Sequence, residues 1–411
     1  MKILIIGSGG REHAIGWKIN QNPKVEKLYF SPGNAGTLAL GENLPSMSIE
    51  QLAEFAKEKA IDLTVVGPEA ELSMGIVDLF QANGLKIFGP NKKAAMLEAS
   101  KAFSKDFMTQ YGIKTAQYQN FTNLDLALEY LETQSFPLVV KASGLAAGKG
   151  VVICQNKTEA IEAVRTMLSG DAFGKAGEEI VIEEFLEGFE ASILSIFNGK
   201  EITPFVSAKD HKKIENGEKG LNTGGMGVIA PNPLFTKEHQ LMFEKEINQP
   251  TLKGLLAEGL IFSGVIFYGL MITSKGVYLL EYNMRMGDPE TQTLLPLMES
   301  DFLELILDAI DQKPLEIKWK DQSACCVVMV SGGYPKDFEK GFEISGLENL
   351  EIPYFVAGAQ MEQNKMINTG GRVLNLVSCQ PTLQAAREKV YQEISKVKYN
   401  KAYFRTDIGE I

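Results

Sequence analysis

A glycine-rich loop between two apolar runs constrains the fold of this chain more strongly than any other sequence feature. The loop reads Lys141-Ala-Ser-Gly-Leu-Ala-Ala-Gly-Lys-Gly150, and it separates Phe136-Pro-Leu-Val-Val140 from Val151-Val-Ile-Cys154. Because short β-branched runs are typical of strands, the segment predicts a hairpin. Backbone N–H groups of small residues can approach an anion closely, and the lysines add positive charge. The pattern therefore fits a flap over the phosphates of a nucleotide, and it also fits a flexible turn with incidental lysines.

A P-loop, G-x-x-x-x-G-K-[ST], is the obvious alternative, and the segment fails that pattern. Gly144 and Gly148 are one residue too close together, and Gly150 stands where the metal-binding hydroxyl belongs. A P-loop also leads into a helix, whereas β-branched residues follow here.

Length and composition describe an ordinary multidomain protein. The chain has 411 residues, 45% of them hydrophobic and 23% charged, so we expect two to four domains. A net charge of −11 argues against nucleic acid or a membrane surface as a partner. No apolar run reaches the roughly 18 residues that a membrane-spanning helix needs. The cysteines and histidines show no zinc-ligand spacing, and reduced thiols in a cytoplasmic protein are expected.

Strand-like and helix-like segments alternate over residues 1 to about 100. This order predicts a parallel, Rossmann-like sheet whose ligands bind at the carboxyl ends of the strands. The loops at those ends are Gly7-Ser-Gly-Gly-Arg-Glu12, Ser31-Pro-Gly-Asn-Ala-Gly36, Val66-Gly-Pro-Glu69 and Phe88-Gly-Pro90. The first part includes a predicted helix over 74–83. It is followed by a helix over about 101–111, a small α/β unit over about 115–188, an α+β body over 190–320 with a predicted helix over 242–257, and a last domain from about 325.

The first of these loops begins like a dinucleotide fingerprint but does not complete it. Glu12 occupies the third glycine position, and no acidic residue ends the second strand, so a nicotinamide cofactor is disfavoured. The helix that follows can still bind a phosphate at its N-terminus, with Arg11 assisting. Because Asn34 and Glu69 lie at the same sheet edge, we favour a phosphorylated small molecule over a plain tight turn.

The run Val181-Ile-Glu-Glu-Phe-Leu-Glu-Gly188 predicts a strand that ends in carboxylates. Alone it would indicate an exposed acidic strand end. Beside a nucleotide flap it suits a hinge, in which backbone groups of Phe185 and Leu186 pair with an adenine edge. A carboxylate such as Glu190 would then bind ribose hydroxyls.

A second constellation lies in Tyr278-Leu-Leu-Glu-Tyr-Asn-Met-Arg-Met-Gly-Asp-Pro-Glu290. Residues i and i+2 of a strand share a face, so Glu281 and Asn283 project together, with Arg285 beyond them. Two hard oxygen ligands, completed by water and phosphate oxygens, suit Mg²⁺. Arg285 can hold a carboxylate or a transferred phosphoryl group in a bidentate fork. Asp288 before Pro289 is interpreted as a helix N-cap with proline at the first helical position.

Charged and glycine-rich segments, Lys209-Asp-His-Lys212 and Asn222-Thr-Gly-Gly-Met-Gly227, lie between strands. They fit either disordered surface or a loop that closes over a reacting acyl phosphate and excludes water. His211 alone is weak support for a general base.

The order of flap, acidic hinge and Glu-x-Asn strand resembles the ATP-grasp ligases. Over nearly its whole length the chain is similar to the glycinamide ribonucleotide synthetases (phosphoribosylamine–glycine ligases). Matching stretches include Ile6-Gly-Ser-Gly-Gly-Arg-Glu-His-Ala14, Lys101-Ala-Phe-Ser-Lys-Asp-Phe107, Asp210-His-Lys212, Gly287-Asp-Pro-Glu-Thr-Gln292, Gly370-Gly-Arg-Val373 and Arg405-Thr-Asp-Ile-Gly409. Each is weak alone, and together they are specific.

The resemblance implies an α/β chain with the ATP-grasp fold. Its parts would be an N-terminal Rossmann-like parallel-sheet domain that binds substrate (1–100), a body (101–120 and 189–322), a small mobile lid subdomain (121–188) and a C-terminal mixed α+β domain (323–411). It implies the reaction of ATP, glycine and 5-phosphoribosylamine to glycinamide ribonucleotide, ADP and phosphate in purine biosynthesis. A cytoplasmic monomer or weak dimer is expected.

Site residues follow from the resemblance together with the patterns above. ATP is expected at Lys105, Lys141, Gly144, Gly148, Lys149, Gly150, Glu183, Glu184, Phe185, Leu186 and Glu190. The other substrates are expected at Gly9, Gly10, Arg11, Glu12, Asn34, Pro68, Glu69, Asn222, Thr223, Gly224 and Gly225. Catalysis is expected to involve Asp210, Lys212 and Arg285, and Mg²⁺ or Mn²⁺ is expected at Glu281 and Asn283.

The chain departs from the family pattern at a few positions. Leu221 replaces a common proline, Met284 and Met286 flank Arg285 where Cys and Phe are frequent, and Ser143 replaces a common aspartate. These changes concern loop rigidity and pocket shape. Two alternatives stay open: a carboxyphosphate-forming ATP-grasp enzyme such as a biotin or ribotide carboxylase, and a non-enzymatic nucleotide sensor. The complete set of Glu281, Asn283 and Arg285 argues against the sensor.

Overall fold

The computed structural model describes residues 1–146, 150–170 and 173–410. Within these ranges, no helix combines the length and apolarity that crossing a membrane requires. Helices and strands alternate at first and then give way to antiparallel sheets, so the chain is mixed α/β with a parallel sheet at its N-terminal end, as the sequence predicts.

The N-terminal part is a parallel sheet with strand order β3-β2-β1-β4-β5. Its elements are β1 (Lys2–Gly7), α1 (Gly10–Ile19), β2 (Lys27–Pro32), β3 (Glu42–Asn43), α2 (Ile49–Glu58), β4 (Leu63–Val66), α3 (Glu69–Met74), α4 (Ile76–Ala82), β5 (Ile87–Phe88) and α5 (Lys92–Ala99). The helix expected over 74–83 is present as α4, and it begins at Ile76 because Gly75 separates it from α3. The φ of Gly75 is +94°, a conformation that glycine adopts readily and that ends a helix.

A small antiparallel sheet with order β6-β9-β7-β8 follows. Its elements, after α6 (Lys101–Gln110), are β6 (Tyr118–Phe121), α7 (Leu124–Leu131), β7 (Leu138–Ala142), β8 (Val151–Cys154), α8 (Lys157–Leu168) and β9 (Ile180–Glu184). Strands β7 and β8 pair antiparallel with Lys141 opposite Val151. The predicted hairpin is therefore present, and its glycine loop lies at the tip.

The central part contains an antiparallel sheet of order β11-β10-β16-β17. The elements of this region are β10 (Phe189–Phe197), β11 (Ile202–Pro204), β12 (Lys209–Asp210), β13 (Lys213–Glu215), β14 (Lys219–Asn222), β15 (Gly227–Ala230), α9 (Lys237–Phe243), α10 (Gln249–Ala257), β16 (Gly264–Thr273), β17 (Gly276–Asn283), α11 (Glu290–Leu297) and α12 (Phe302–Ile310). The single helix expected over 242–257 is interrupted, because a π-helical segment, Glu244–Asn248, joins α9 to α10.

The C-terminal part contributes β18 (Ser323–Ser331), β19 (Tyr354–Val356), β20 (Ala359–Glu362), β21 (Lys365–Asn368), β22 (Arg372–Gln380), α13 (Leu383–Ile394) and β23 (Ala402–Tyr403). Its sheet has the order β12-β15-β18-β22-β19, with β23 beside β18. Because β12 and β15 belong to this sheet, it extends across the boundary expected at residue 323. The loop after β12 is thereby anchored to the C-terminal part.

One hydrophobic core joins the three larger parts, and it includes Ile5, Val265 and Phe355. A buried polar contact supports the same junction, since His13 Nδ1 accepts a hydrogen bond of 2.9 Å from the backbone N–H of Val356. Burial lowers the pKa of His13 to about 4, so the ring is neutral and available as an acceptor. The site described next is therefore built on parts that pack against one another.

Candidate active site

A buried carboxylate lies between two buried lysines where the small sheet meets α6. Glu183 Oε2 is 3.2 Å from Lys105 Nζ and 3.0 Å from Lys141 Nζ. Each of the three side chains is less than a tenth exposed, and Glu183 Oε1 has no partner among the described residues. Burial lowers the pKa of Lys105 to about 8, although Glu183 raises it. The group concentrates positive charge and donors beside the hairpin loop.

The glycine loop is described only at its two ends. The N–H of Gly144 donates to Ala176 O over 3.0 Å, and Gly150 O accepts from the N–H of Ala142 over 2.8 Å. Lys101 Nζ also donates to Gly144 O over 3.2 Å. Gly148 and Lys149 lie outside the described residues.

Residues 185–188 connect β9 of the small sheet to β10 of the central sheet, which is the place expected for a hinge. The side chain of Phe185 is 37% exposed, and the Glu184 carboxylate accepts from the N–H of Gln117 over 2.9 Å. Glu190, expected at the ribose, forms a 2.5 Å ion pair with Lys212. Glu190 raises the pKa of Lys212 above its usual value, so that side chain is a fixed cation.

Glu281 and Asn283 lie near the end of β17, on the same face as the alternation requires. Burial raises the pKa of the Glu281 carboxyl group, but Lys212, Lys141 and Lys101 outweigh burial and leave that pKa below its usual value. Glu281 is therefore an anion held in a cluster of lysines. Asn283 Oδ1 accepts from Arg285 Nη2 over 3.2 Å.

Arg285 is held by two carboxylates from the N-terminal part. Its guanidinium is 3.3 Å from Glu69 Oε2 and 2.9 Å from Glu98 Oε1. Glu98 also accepts from the N–H of Met284 over 2.6 Å. The expected trio of Glu281, Asn283 and Arg285 is thus brought together, and its arginine is oriented by residues far away in sequence.

Among the described residues, no group of three or more His, Cys, Asp or Glu side chains has the arrangement of a metal site. Mg²⁺ does not need such a cage, because it is usually held by one or two carboxylates together with substrate phosphates and water. The ionised Glu281 and the amide oxygen of Asn283 are hard donors of that kind. The residues present therefore fit a divalent cation that arrives with a nucleotide.

A pair of carboxyl groups faces the loop after β14. Burial and the nearby Glu290 raise the pKa of Asp210 well above its usual value, against the effects of Lys212 and Arg372. Within the part of the chain that the structure describes, Asp210 Oδ1 has no partner, whereas Glu290 Oε1 accepts from Ser192 Oγ over 3.1 Å. Burial raises the pKa of Glu290 as well. The raised pKa values favour the protonated form of both carboxyl groups.

The loop Asn222–Gly225 is fixed by contacts from both sides. Thr223 donates to Lys212 O from its N–H and from its hydroxyl, each over 2.8 Å. The N–H of Gly224 donates to Tyr334 Oη over 3.0 Å, and Arg372 Nη1 donates to Gly224 O. Gly225 has φ +110°, and a side chain there would collide with Pro289 and Asp210, so glycine is required.

The loop after β1 is packed against this region. A Cβ on Gly9 would lie 3.2 Å from Asp288 Oδ2, and one on Gly10 would lie 2.5 Å from Asn375 Nδ2. Glu12 accepts from the N–H of Gly9 over 2.6 Å, and Arg11 donates to Glu12 over 2.5 Å and to Met286 O over 3.1 Å. These side chains already bond protein groups, so their binding of substrate stays a prediction.

Asn34 and Pro68 lie on the neighbouring loops. Asn34 Nδ2 donates to Ser8 O over 2.8 Å and to Val356 O over 2.7 Å, which ties the N-terminal loops to the C-terminal part. Pro68 is the N-cap residue of α3. Their roles in substrate binding also stay predictions.

Asp288 is not the helix cap that the sequence suggested. Helix α11 begins at Glu290, its N-cap is Pro289, and no side chain caps it. The Asp288 carboxylate instead pairs with Arg372 over 3.2 Å and accepts from Gln292 Nε2 over 2.8 Å. The cap interpretation was wrong because the local Asp-Pro pattern does not reveal a cation supplied by a distant strand.

His211 does not face the other groups of the site. It is 2% exposed, and its Nδ1 lies 3.1 Å from Gly227 O. Burial lowers its pKa to about 4, so the ring is neutral. Sequence reasoning gave no role to Glu98, Glu290 and Arg372, although Glu290 and Arg372 lie in stretches that carry the family resemblance.

Models of the phosphoribosylglycinamide synthetase family match three consecutive parts of the chain. The N domain matches residues 1–98, the ATP-grasp (A) domain residues 99–291 and the C domain residues 324–411. Together these matches cover most of the chain.

Full-length relatives agree with this result. A phosphoribosylamine–glycine ligase from Fusobacterium nucleatum subsp. nucleatum is 54% identical, and the match covers 100% of this chain and 99% of the relative. One from Clostridium acetobutylicum is also 54% identical, with 100% of both chains covered. A solved phosphoribosylamine–glycine ligase from Thermotoga maritima is similar with a TM-score of 0.89 at 35% identity, over 99% of this chain and 100% of that one.

More distant solved structures share the fold alone. A biotin carboxylase from Campylobacter jejuni has a TM-score of 0.75 at 14% identity, over 98% of this chain and 92% of that one. The family models, the full-length relatives and the arrangement of the site agree: the chain belongs to the phosphoribosylglycinamide synthetase family, whose central domain is an ATP-grasp domain.

Proposed function

We propose that this chain is an ATP-dependent ligase that joins glycine to 5-phosphoribosylamine. The products are glycinamide ribonucleotide, ADP and phosphate, in purine biosynthesis. The observation that carries the proposal is full-length identity of 54% to phosphoribosylamine–glycine ligases. The site also supports the proposal, because it brings together groups that suit a metal ion and the phosphates of ATP. These groups are Glu281, Asn283, Arg285 and the nearby lysines.

ATP would bind between the small sheet and the central sheet. Lys105 and Lys141 supply positive charge for its phosphates, and the hairpin loop after Lys141 supplies backbone donors. Residues 185–188 would meet the adenine, since they connect the two sheets. In that state the phosphates would share the lysines with Glu183, which already lies between them.

Glu281 and Asn283 would hold Mg²⁺ or Mn²⁺ through their oxygen atoms. Bound there with ATP, the ion would neutralise charge on the phosphates and orient them. The low pKa of Glu281 keeps the carboxylate ionised for this purpose.

The first chemical step would be attack of a glycine carboxylate oxygen on the γ-phosphorus. A new O–P bond forms, the bond to the β-phosphate oxygen breaks, and glycyl phosphate and ADP result. Arg285 and Lys212, which ion pairs hold to Glu98 and Glu190, would supply positive charge to the transferring group. Orientation and electrostatic stabilisation supply most of the rate in such reactions, so no protein nucleophile is needed.

The second step would be attack of the amine of phosphoribosylamine on the carbonyl carbon of glycyl phosphate. A C–N bond forms, phosphate leaves with the bridging oxygen, and the amine releases a proton. Asp210 has an unpartnered oxygen beside Glu290, which suits it to accept a donor such as an ammonium or amine group. The Asn222–Gly225 loop would cover the reacting groups and exclude water.

We further propose a cytoplasmic enzyme that acts on these small molecules as a monomer or weak dimer. Cys154, Cys325, Cys326 and Cys379 are free thiols, which suits a reducing compartment.

Phosphate release from ATP and Mg²⁺ tests the function, with glycine and phosphoribosylamine omitted in turn. Because phosphoribosylamine is unstable, it is generated in the assay. We expect sustained phosphate release only when both substrates are present, and formation of glycinamide ribonucleotide in equal amount. Release that requires bicarbonate and consumes no glycine would instead identify a carboxylase.

A further inference from the structure

The last residues of the chain bond a distant hairpin beside the site. We call residues 403–409 the C-terminal strap and residues 213–222, which contain β13 and β14, the loop hairpin. Arg405 is the centre of the contact. Its side chain is 1% exposed, and its Nη1 donates to Lys213 O over 3.0 Å, while its Nη2 is 2.8 Å from Glu218 Oε1.

Further bonds run between the same two segments. Asp407, which pairs with Arg405 over 2.8 Å, accepts from the N–H of Gly217 over 2.7 Å. Asn216 and Thr406 bond each other twice, over 2.6 and 3.1 Å. Tyr403 Oη donates to Ile214 O over 2.9 Å. Contacts along the whole strap therefore hold the loop hairpin.

The loop hairpin has little internal support of its own. Its two short strands pair with a shift in register between Lys213 and Glu215. At its turn Glu218 has φ +56° and Gly217 φ +70°, and the left-handed region is unfavourable for glutamate. Residues 215–222 are exposed. Isolated hairpins of this length are marginal in water, so the contacts from the strap decide its position.

The ends of the loop hairpin are the residues proposed for chemistry. Lys212 directly precedes the loop hairpin, Asn222 is its last residue, and Thr223 follows it. Thr223 donates twice to Lys212 O, which closes the base of the loop hairpin. A displacement of the hairpin would therefore move Lys212 away from Glu190 and Glu281.

We propose that Arg405 is a positioning residue, which acts through the loop hairpin to hold Lys212 and the Asn222–Gly225 loop in place for the ligase reaction. The kinetic part of this inference rests on the proposed function. The structural part, that the strap orders the loop hairpin, does not. Since the nucleotide lysines Lys105 and Lys141 lie on α6 and β7, outside the contacts of the strap, ATP binding is expected to depend less on Arg405 than turnover does.

The test compares Arg405→Ala with wild type in hydrogen exchange and in steady-state kinetics. Amides of residues 213–226 are expected to exchange at least about tenfold faster, because their opening is no longer opposed by the strap. The kcat is expected to fall on the order of 10- to 100-fold through misplacement of reacting groups, while KM for ATP changes by a smaller factor than kcat. Lys389→Ala is the matched control: it removes ion pairs to Glu351 and Glu393 in the same part of the chain without touching the hairpin.

A double variant covers the case in which Arg405→Ala does not fold. Asn216→Ala with Glu218→Ala removes the side-chain bonds that Thr406 and Arg405 make to the exposed face of the loop hairpin. It leaves the buried Arg405–Asp407 pair and the bond from Arg405 to Lys213 O intact. Wild-type exchange over 213–226 in a folded Arg405→Ala or in this double variant overturns the inference, as does faster exchange with unchanged kcat. If wild type itself shows no ligase activity, the proposed function fails, and hydrogen exchange alone decides the role of the strap.

Discussion

Replacing Glu183 by glutamine removes the negative charge between Lys105 and Lys141 and keeps the size of the side chain. Glu183 Oε2 is 3.0 and 3.2 Å from the two ammonium groups. At an effective dielectric constant of about 20, each contact corresponds to roughly 5 kcal/mol of attraction. Much of that attraction offsets the free-energy cost of desolvating the charges. The Glu183→Gln variant is therefore expected to have a free energy of unfolding about 3–5 kcal/mol lower than wild type.

The stability lost in Glu183→Gln is expected to depend on pH and to be larger at lower pH. Burial lowers the pKa of Lys105 from 10.5 to about 8, so the folded protein binds fewer protons than the unfolded chain between these values. Stability therefore rises with pH across that window. Without Glu183 the pKa of Lys105 falls further, and the window extends to lower pH. As the pH falls below about 8, the free energy of unfolding of the variant should decrease by up to about 1.4 kcal/mol per pH unit more than that of wild type.

Urea unfolding at about pH 6.5 and about pH 8.5, followed by circular dichroism, measures this difference. Glu184→Gln is the matched control, because Glu184 is the exposed neighbour, and its carboxylate accepts from the backbone N–H of Gln117. The control should show a small effect at both pH values. A Glu183→Gln loss that is equal at both pH values, or larger at the higher one, refutes the reasoning.

Three further substitutions probe the rest of the site. Glu281→Gln should weaken the apparent affinity for Mg²⁺ by at least about 10- to 100-fold, measured as turnover against metal concentration; wild-type activity at limiting Mg²⁺ contradicts the metal assignment. Arg372→Ala removes the hydrogen bond to Gly224 O. It should lower kcat/KM for the amine substrate about 10- to 100-fold while KM for ATP is unchanged. Equal decreases of kcat/KM for the amine and for ATP contradict this role. Asp210→Asn should lower turnover yet raise the midpoint of thermal unfolding at neutral pH. Burial and Glu290 raise the pKa of Asp210, so its ionisation destabilises the folded state, and a lowered midpoint contradicts this account.

The architecture was largely predictable from local pattern. Alternating strands and helices predicted the parallel N-terminal sheet, and the β-branched runs around Lys141–Gly150 predicted the hairpin. The helix over 74–83 was confirmed as α4, with a start shifted by Gly75. The helix over 242–257 was less accurate, because the apolar period continues through the π-helical segment. Periodicity reports which face is buried, and it does not register a local change in backbone conformation.

The site was predictable where its residues share one strand. Glu281 and Asn283 are two apart, so alternation alone places them together. Glu98, Glu290 and Arg372 illustrate the limit: each contacts a partner from another segment, and the pairing depends on how the elements pack. Arg372 lies on β22, and its partner Asp288 lies before α11, far away in sequence.

Transfer of oxygen from glycine to phosphate tests the central claim most directly. Glycine labelled with ¹⁸O in both carboxylate oxygens is incubated with ATP, Mg²⁺ and phosphoribosylamine generated in the assay, and the released phosphate is analysed by mass spectrometry. If the carboxylate attacks the γ-phosphorus and the amine then displaces phosphate from carbon, each released phosphate carries one ¹⁸O atom and glycinamide ribonucleotide retains the other. Unlabelled phosphate released during turnover would contradict a glycyl-phosphate route through this site.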